Sequence, residues 1–596
     1  RQNDIQSSGE IEHGNWITGI PFIDNLLVGN QELLPQDLKN NKGHNVFYCL
    51  PLLLGLIGLF WQAYHSQRGI QQFWVVFFLF FMTGIAIVLY LNQTPAQPRE
   101  RDYAYAGSFY AFAIWVGMGV AGIIRMLRDY CKMKEVPAAA LASVLCLLVP
   151  IQMAGQTWDD HDRSGRFVAR DFGQNYLMTL QEEGNPIIFT NGDNDTFPLW
   201  YNQETEGFRT DARTCNLSYL QTDWYIDQMK RPAYDSPSLP ITWDRVEYVE
   251  GQNEYIPIRP EVKKNIDQMY AQADSALENG NPEAMNELKE QFGENPYELK
   301  NILKYWVRSD KEGLRVIPTD SIVMKIDKEA VRRSGMKIPE ALGDSIPEYM
   351  TILLRDANGN PKRALYKSEL MMLEMLANAN WERPIYMAIT VGSENLGMDN
   401  HFTQEGLAYR FTPFDTDKLN SKIDSEKMYD NLMNKFKFGG IEKPGIYIDE
   451  NVMRMCYTHR RIFTQLVGQL IKEGKKDKAL AALDYAEKMI PSYNVPYDWA
   501  NGAFQMAEAY YQLGQNEKAN KIIDELANKS LEYMIWYLSL TDYQLSIASE
   551  NFMYNAGLLD AEVRLMEKYK SEELAKHYSE QLDQLYNEYV ARMKGK

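Results

Sequence analysis

Four nearly charge-free runs, Val46–Tyr64, Phe73–Leu91, Ala106–Ile124 and Val136–Ala154, dominate the chain before residue 155. Each is close to the ~20 residues that carry a helix across a bilayer core. The second, FWVVFFLFFMTGIAIVLYL, is apolar around its whole circumference, which a surface helix of a soluble protein is not. The pattern predicts a bundle of four transmembrane helices over 45–154. In the third run Ala113, Gly117 and Ala121 recur at every fourth position, and small residues at that spacing let another helix approach closely. A helix upstream of Arg1 is the expected partner.

Beyond residue 155 the period changes. TWDDHDRSGRFVARDFGQNYLMTLQEEG reads as a helix ending at Gly184, NPIIFT as a short buried strand, and NGDNDTFPLWY as a tight loop entering a helix capped by Asp195 or Thr196. TCNLSYL, SIVMKI, MTILLRD, PIYMAITV and LAYRFTPF are further strands, and KSELMMLEMLANAN is an amphipathic helix capped by Ser368. Helices alternating with strands predict an α/β domain over 155–456 with a small parallel sheet and crossover helices. From 457 to 596 only helical periodicity remains. There Gly474 aligns with Gly514 and Ala479 with Ala519, a shift of 40 residues, as in a tetratricopeptide-like repeat lengthened by the loop SYNVPYD.

Charge gives the ensemble a direction. Four spans put 1–44, the 92–105 loop and everything after 155 on one side. The short loop RMLRDYCKMK on the other side carries Arg125, Arg128, Lys132 and Lys134. Cytoplasmic loops favour Lys and Arg, so 155–596 is expected outside the cytoplasm. The formal net charge of −18 argues against a nucleic-acid partner. Five cysteines form neither a CxxC pair nor a zinc spacing. The opening residues lack a signal peptide's apolar core, so the chain reads as a fragment or a processed protein.

Three polar clusters are candidates for chemistry. In QPRERDYAYAGSFYAF, Arg99, Glu100, Arg101, Asp102 and Tyr103 stand at the mouth of the third span. They suit either an interfacial anchor or a clamp on the phosphate of a lipid-linked substrate. In WDDHDRSGR, Asp159, Asp160, His161 and Asp162 are of the type that ligates a divalent metal, but on a helix only Asp159 and Asp162 share a face, and a helix-end role is the simpler account. In NGDNDTFPLWY, directly after a strand, Asp193, Asn194 and Asp195 with Trp200 and Tyr201 lie where open α/β sheets bind ligands. Asp-x-Asp is also a weak metal pattern, and a turn-and-cap role competes with it.

The stretches RQNDIQSSGEIEHGNW, PLLLGLIGL, QPRERDYAYAGSFYAF, WDDHDRSGR, IIFTNGDNDTFPLWY and WERPIYMAITVG resemble the C-terminal half of a family of large Bacteroidota membrane proteins. That family is similar to GT-C-type glycosyltransferases and to the animal transmembrane protein O-mannosyltransferase. The resemblance implies a bacterial inner-membrane enzyme with 155–596 in the periplasm, moving a hexose from a polyprenyl-phosphate donor to Ser or Thr of exported proteins. The helical repeats would hold the envelope acceptor. The catalytic carboxylate is expected in the absent N-terminal half, so no catalytic residue carries over to a position here. The alternative is a non-enzymatic, membrane-tethered scaffold whose repeats grip envelope partners.

Overall fold

The computed structural model describes residues 11–12, 17–92, 102–343, 345–356, 358–392, 396–419 and 422–594. Among them three helices are long and apolar enough to cross a membrane, Gln67–Leu91, Tyr103–Asp129 and Glu135–His161. The first of the four expected spans is shorter: helix α1 covers Leu50–His65. Pro51 fixes its first turn and Cys49 before it is left-handed (φ 55°), so Val46–Cys49 is not helical. At 1.5 Å per residue α1 reaches about 24 Å, less than the ~30 Å of a hydrocarbon core. Helix α2 runs Gln67–Thr83 and continues as Ile85–Leu91 past a break at Gly84, α3 is Ala106–Asp129 and α4 is Glu135–His161. Their outward faces expose Val75, Phe78, Leu89, Val144, Leu147 and Ile151, surface that only an apolar solvent accommodates at this density.

The α1–α3 seam is set by glycine and one tryptophan. A Cβ on Gly58 would stand 1.8 Å from the Trp115 carbonyl oxygen, and one on Gly119 would stand 2.3 Å from the Leu54 carbonyl oxygen, so the two backbones touch. The Trp115 indole N–H donates to Gln62 Oε1 at 2.8 Å, and Phe73, Phe80 and Phe112 surround the ring. The Ala113–Gly117–Ala121 stripe is not this seam. Ala113 and Gly117 are exposed, and a Cβ on Gly117 meets nothing within 4 Å. The large ring of Trp115 needs both a polar partner and a gap, and α1 supplies them as Gln62 and Gly58 on the adjacent face.

The single helix expected over 157–184 is two. At Asp162 the carboxylate accepts from the Ser164 N–H (2.8 Å) and hydroxyl (2.6 Å), which ends α4 in a turn. Helix α5, Val168–Thr179, starts afresh. Chain contacts divide the protein into two units: 1–166 with 443–461 and 491–596, and 167–442 with 462–490.

The second unit is built on a five-stranded sheet. Its strands are β1 (Ile187–Thr190), β2 (Arg213–Asn216), β3 (Ile385–Ala388), β4 (Phe402–Gln404) and β5 (Ala408–Phe411), in the order β2-β1-β3-β5-β4. Ile187 pairs in parallel with Arg213 on one side and Ile385 on the other. β1, β2 and β3 are buried on both faces, which is why β1 and β3 read as nearly continuous apolar runs, while β2 buries the polar Arg213, Thr214 and Asn216. The parallel expectation holds for these three, whereas β5 and β4 add an antiparallel hairpin at the edge. Two antiparallel ribbons complete the unit, Ser321–Lys325 with Tyr349–Leu353 and Tyr255–Pro257 with Ala364–Tyr366. The amphipathic helix occupies Lys367–Asn378. Tyr366 rather than Ser368 stands at its cap, because the Glu369 carboxylate reaches back to the Tyr366 N–H at 2.9 Å.

Helices Glu450–Lys472, Lys476–Met489, Ala503–Gln512, Asn516–Leu538, Ser549–Lys568 and Glu572–Lys594 follow as three successive pairs. Gly474 and Gly514 both turn with positive φ (76° and 74°), and Ala479 and Ala519 are both fully buried. In the first unit Lys529 Nζ bridges Asp37 (3.2 Å) and Asp498 (2.7 Å), and the Tyr533 hydroxyl donates to Asp37. This ties the segment before α1 to helix Asn516–Leu538.

The seam makes a discriminating stability prediction. Gly58→Val forces the α1 and α3 backbones apart and lowers the melting temperature of the detergent-solubilised protein, an overpacking cost of about 1–3 kcal/mol. Gly117→Val, on the open face, leaves it unchanged. Equal melting of both variants contradicts the seam.

Candidate functional site

From β1 the chain passes through helix α6 (Asp193–Glu206) to β2 on one side, and it returns as β3 on the other. The winding direction therefore reverses between β1 and β3, and the crevice outside their carboxyl ends is where open α/β sheets bind ligands. Asn191 to Asp195 enter this crevice from β1, and Thr390 enters it from β3.

Gly192 makes the sharp entry possible. Its φ of 75° and ψ of −179° suit glycine, and it precedes α6 without a side-chain cap. Asp195 and Thr196, expected as caps, are the third and fourth residues of the helix. The Thr196 hydroxyl donates back to the Gly192 carbonyl at 2.7 Å, and Asn216 Nδ2 donates to Thr196 Oγ1 at 2.8 Å. Thr190 Oγ1 lies 2.7 Å from Thr196 Oγ1, so β1, β2 and α6 share one buried polar knot.

Asp195 is buried at 7% exposure, and its carboxylate accepts from the Thr390 hydroxyl and from the Asn191 backbone N–H. Burial pushes its carboxyl above the usual carboxylate range, against the opposing pull of those two hydrogen bonds. Tyr176, fully buried on α5, lies 3.1 Å from Thr390 Oγ1, and its own burial and the Asp195 charge hold the phenol protonated. With Thr390 donating to Asp195, Tyr176 donates to Thr390. The three groups form a line of hydrogen bonds ending on a carboxyl poised closer to neutrality, the property a general acid or base requires.

Asp193 and Asn194 face solvent on the same turn, and Asp193 accepts from the Tyr219 hydroxyl at 3.1 Å. The two aspartates therefore diverge, one exposed and one buried, as residues two apart on a helix must. Beside Asp193 runs a shelf of rings: Phe197 on Trp200 (5.6 Å), Trp200 on Tyr219 (6.2 Å) and Tyr219 with Trp224 (6.0 Å). Phe197 and Trp224 are about half exposed, and so is Tyr201. Exposed aromatic faces next to carboxylates suit a ligand with an apolar face and hydroxyl groups, such as a sugar ring.

The other sequence candidates are separate. Arg99, Glu100 and Arg101 lie outside the described residues. Asp102 opens a short 3-10 turn, Asp102–Tyr105, leading into α3, and Tyr103 is exposed. At the end of α4, His161 Nδ1 contacts Asp160 Oδ1 at 2.7 Å, while Asp160 Oδ2 accepts from Asn45 Nδ2 at 2.8 Å. Asp162 turns to Ser164 and Asp159 faces solvent. Among the described residues no three His, Cys, Asp or Glu side chains gather to hold a metal ion. Sequence reading missed Tyr176, Asn216, Tyr219, Trp224 and Thr390. The density of rings in SYLQTDWYI was a visible signal for Tyr219 and Trp224. Nothing local marks Tyr176 or Thr390.

A carboxyl whose folded value is raised costs stability above the ordinary Asp range, where the unfolded chain ionises freely, and costs nothing below it. Asp195→Asn is therefore expected to melt higher than the unaltered protein at pH 7. The gain shrinks as the pH falls toward ~4, where an ordinary Asp protonates. Thermal melts of the complete chain across that range check this, and a variant that melts lower at pH 7 contradicts it.

No curated protein and no solved structure matches the chain. Residues 169–428, the stretch that carries Tyr176, Asp195, the ring shelf and Thr390, match the family model described as TMEM260-associated domain 2, which fits a TMEM260-like family over that stretch.

Proposed function

We propose that the chain is the C-terminal part of a membrane-bound glycosyltransferase of GT-C type. It moves a hexose from a polyprenyl-phosphate donor to Ser or Thr of exported proteins, and residues 155–596 lie in the periplasm. The observation that carries this reading is the coincidence of two findings on one stretch. Residues 169–428 match a TMEM260-associated domain, and the same residues build the buried carboxyl of Asp195 and, two residues earlier, the exposed Asp193 beside a shelf of aromatic rings. The apolar helices support attachment to a bilayer, where a lipid-linked sugar resides. In this reading the shelf receives sugar or acceptor, Arg99 and Arg101 meet the donor phosphate, and the tetratricopeptide-like pairs hold the acceptor protein. A scaffold that binds envelope proteins through its helix pairs is the second reading, supported by the like turns at Gly474 and Gly514 and the buried Ala479 and Ala519.

The two readings separate in the glycoprotein profile of cells carrying variants of the complete protein at matched abundance. Trp200→Ala and Trp224→Ala are expected to lower transfer roughly two- to tenfold, the worth of one aromatic contact. Arg99→Lys and Arg101→Lys are expected to lose as much as the Ala variants, because Lys lacks the planar two-pronged donor. Profiles that stay intact in all these variants favour the scaffold.

Orientation has its own test. Cys131 is exposed in the basic loop, whereas Cys215 and Cys456 are buried. A membrane-impermeant maleimide is expected to spare Cys131 in sealed cells and to label a cysteine placed at Tyr543, whose side chain is 74% exposed. Labelling of Cys131 alone reverses the topology.

A further inference from the structure

Ahead of α1 stands a helix whose polarity is reversed for a surface in water. Helix Pro21–Val28, PFIDNLLV, carries a single charged side chain. That side chain, Asp24, is turned inward. It is 3% exposed, and its carboxylate accepts from the Thr18 N–H and hydroxyl, both at 2.8 Å, and from the Gly19 N–H at 2.7 Å. Phe22, Leu26 and Leu27 point outward, at 83%, 71% and 50% exposure. With the partly exposed Ile23 they fill an arc of about 140° at 3.6 residues per turn. A helix on a surface in water shows the opposite arrangement, Asp outside and Phe and Leu inside. An apolar arc facing out, with the carboxylate satisfied within, suits an apolar medium.

The place of the helix in the fold identifies that medium. A Cβ on Gly19 would stand 1.9 Å from Val46 Cγ1 and 3.0 Å from the Tyr48 ring, so the start of the helix packs on the residues that lead into α1. α1 begins at Leu50 and is shorter than a hydrocarbon core, which leaves its ends at the edge of that core and not beyond it. The Val46 N–H donates to Gln156 Oε1 at 3.1 Å, just past the apolar part of α4, which sets Val46 at the same level. Tyr48, Leu50 and Leu53 are exposed as well, so the apolar surface that begins at Ile20 and Phe22 runs on into the outward face of α1.

We propose that helix Pro21–Val28 is an interfacial membrane anchor. It lies at the headgroup boundary of the bilayer, with Phe22, Leu26 and Leu27 among the lipid chains and Asp24 turned to the protein. The occupant of this face is lipid. A second copy of the chain would need roughly 800 Å² on each partner for a stable interface, and a helix about 12 Å long presents a fraction of that. The anchor selects no anionic headgroup, because the helix carries no Lys or Arg. It is independent of the crevice at β1 and β3 and of the transferase reading.

Nitroxide probes on the full chain in phosphatidylcholine nanodiscs test this. Cys49 and Cys131 are first replaced by Ser, since the other cysteines are buried. Phe22→Cys and Leu26→Cys then carry the probe, one at a time. Val144→Cys, on the outward face of α4, is the lipid reference, and the exposed Lys576→Cys is the water reference. Both helix probes are expected to collide several-fold more with dissolved oxygen than with a water-soluble nickel chelate, as the Val144 probe does and the Lys576 probe does not. Collision with the chelate equal to that at Lys576 overturns the proposal, because the face then stands in water. Shielding from both reagents overturns it too, because protein then covers the face.

Discussion

Strand β1 holds the second unit together because it is paired on both sides at once. Ile187, Ile188 and Phe189 are fully or almost fully buried, and their backbones pair with β2 on one side and β3 on the other. β2 arrives locally, through one crossover helix. β3 arrives after nearly 200 residues of intervening chain, and the cost of closing so long a loop rises only slowly with its length. Once β1 and β3 lie side by side their carboxyl ends are neighbours, and Thr390 comes to face Asp195. The candidate site is thus a by-product of the pairing that closes the sheet.

That pairing also explains why the site is chemically unusual. A carboxyl placed on the first turn of a surface helix would be solvated and ordinary. Asp195 is covered by α5 and by the β3 end, so its ionised form loses water and keeps only two hydrogen bonds in return. Asp193, two residues earlier, stays in solvent beside the rings. The first turn of α6 therefore presents two carboxylates in different environments, one buried and one in solvent.

In the first unit the governing constraint is close backbone approach. Helices in an apolar solvent gain little from burying more apolar surface, so contact geometry and rare polar bonds decide which faces meet. Gly58 and Gly119 allow the approach, and the Trp115–Gln62 hydrogen bond fixes the register. A spacing rule for small residues found a real stripe at Ala113 and Gly117, yet it could not say that the neighbouring stripe carried the partner for a tryptophan.

The sequence by itself determined the apolar helices, the strands β1, β3 and β5, and the turns at Gly474 and Gly514, because burial or a forced turn leaves a local mark on composition. It also marked Asp193 to Asp195 and Trp200 as a candidate site, since a polar loop after a buried strand is a local feature. Only the tertiary structure decided that α1 is short, that Asp162 ends α4, and that the sheet is mixed, with β4 too brief to show a period. Only it brought Tyr176 and Thr390 to Asp195. Those outcomes depend on which distant backbone comes alongside, and that is not written in any single stretch of residues.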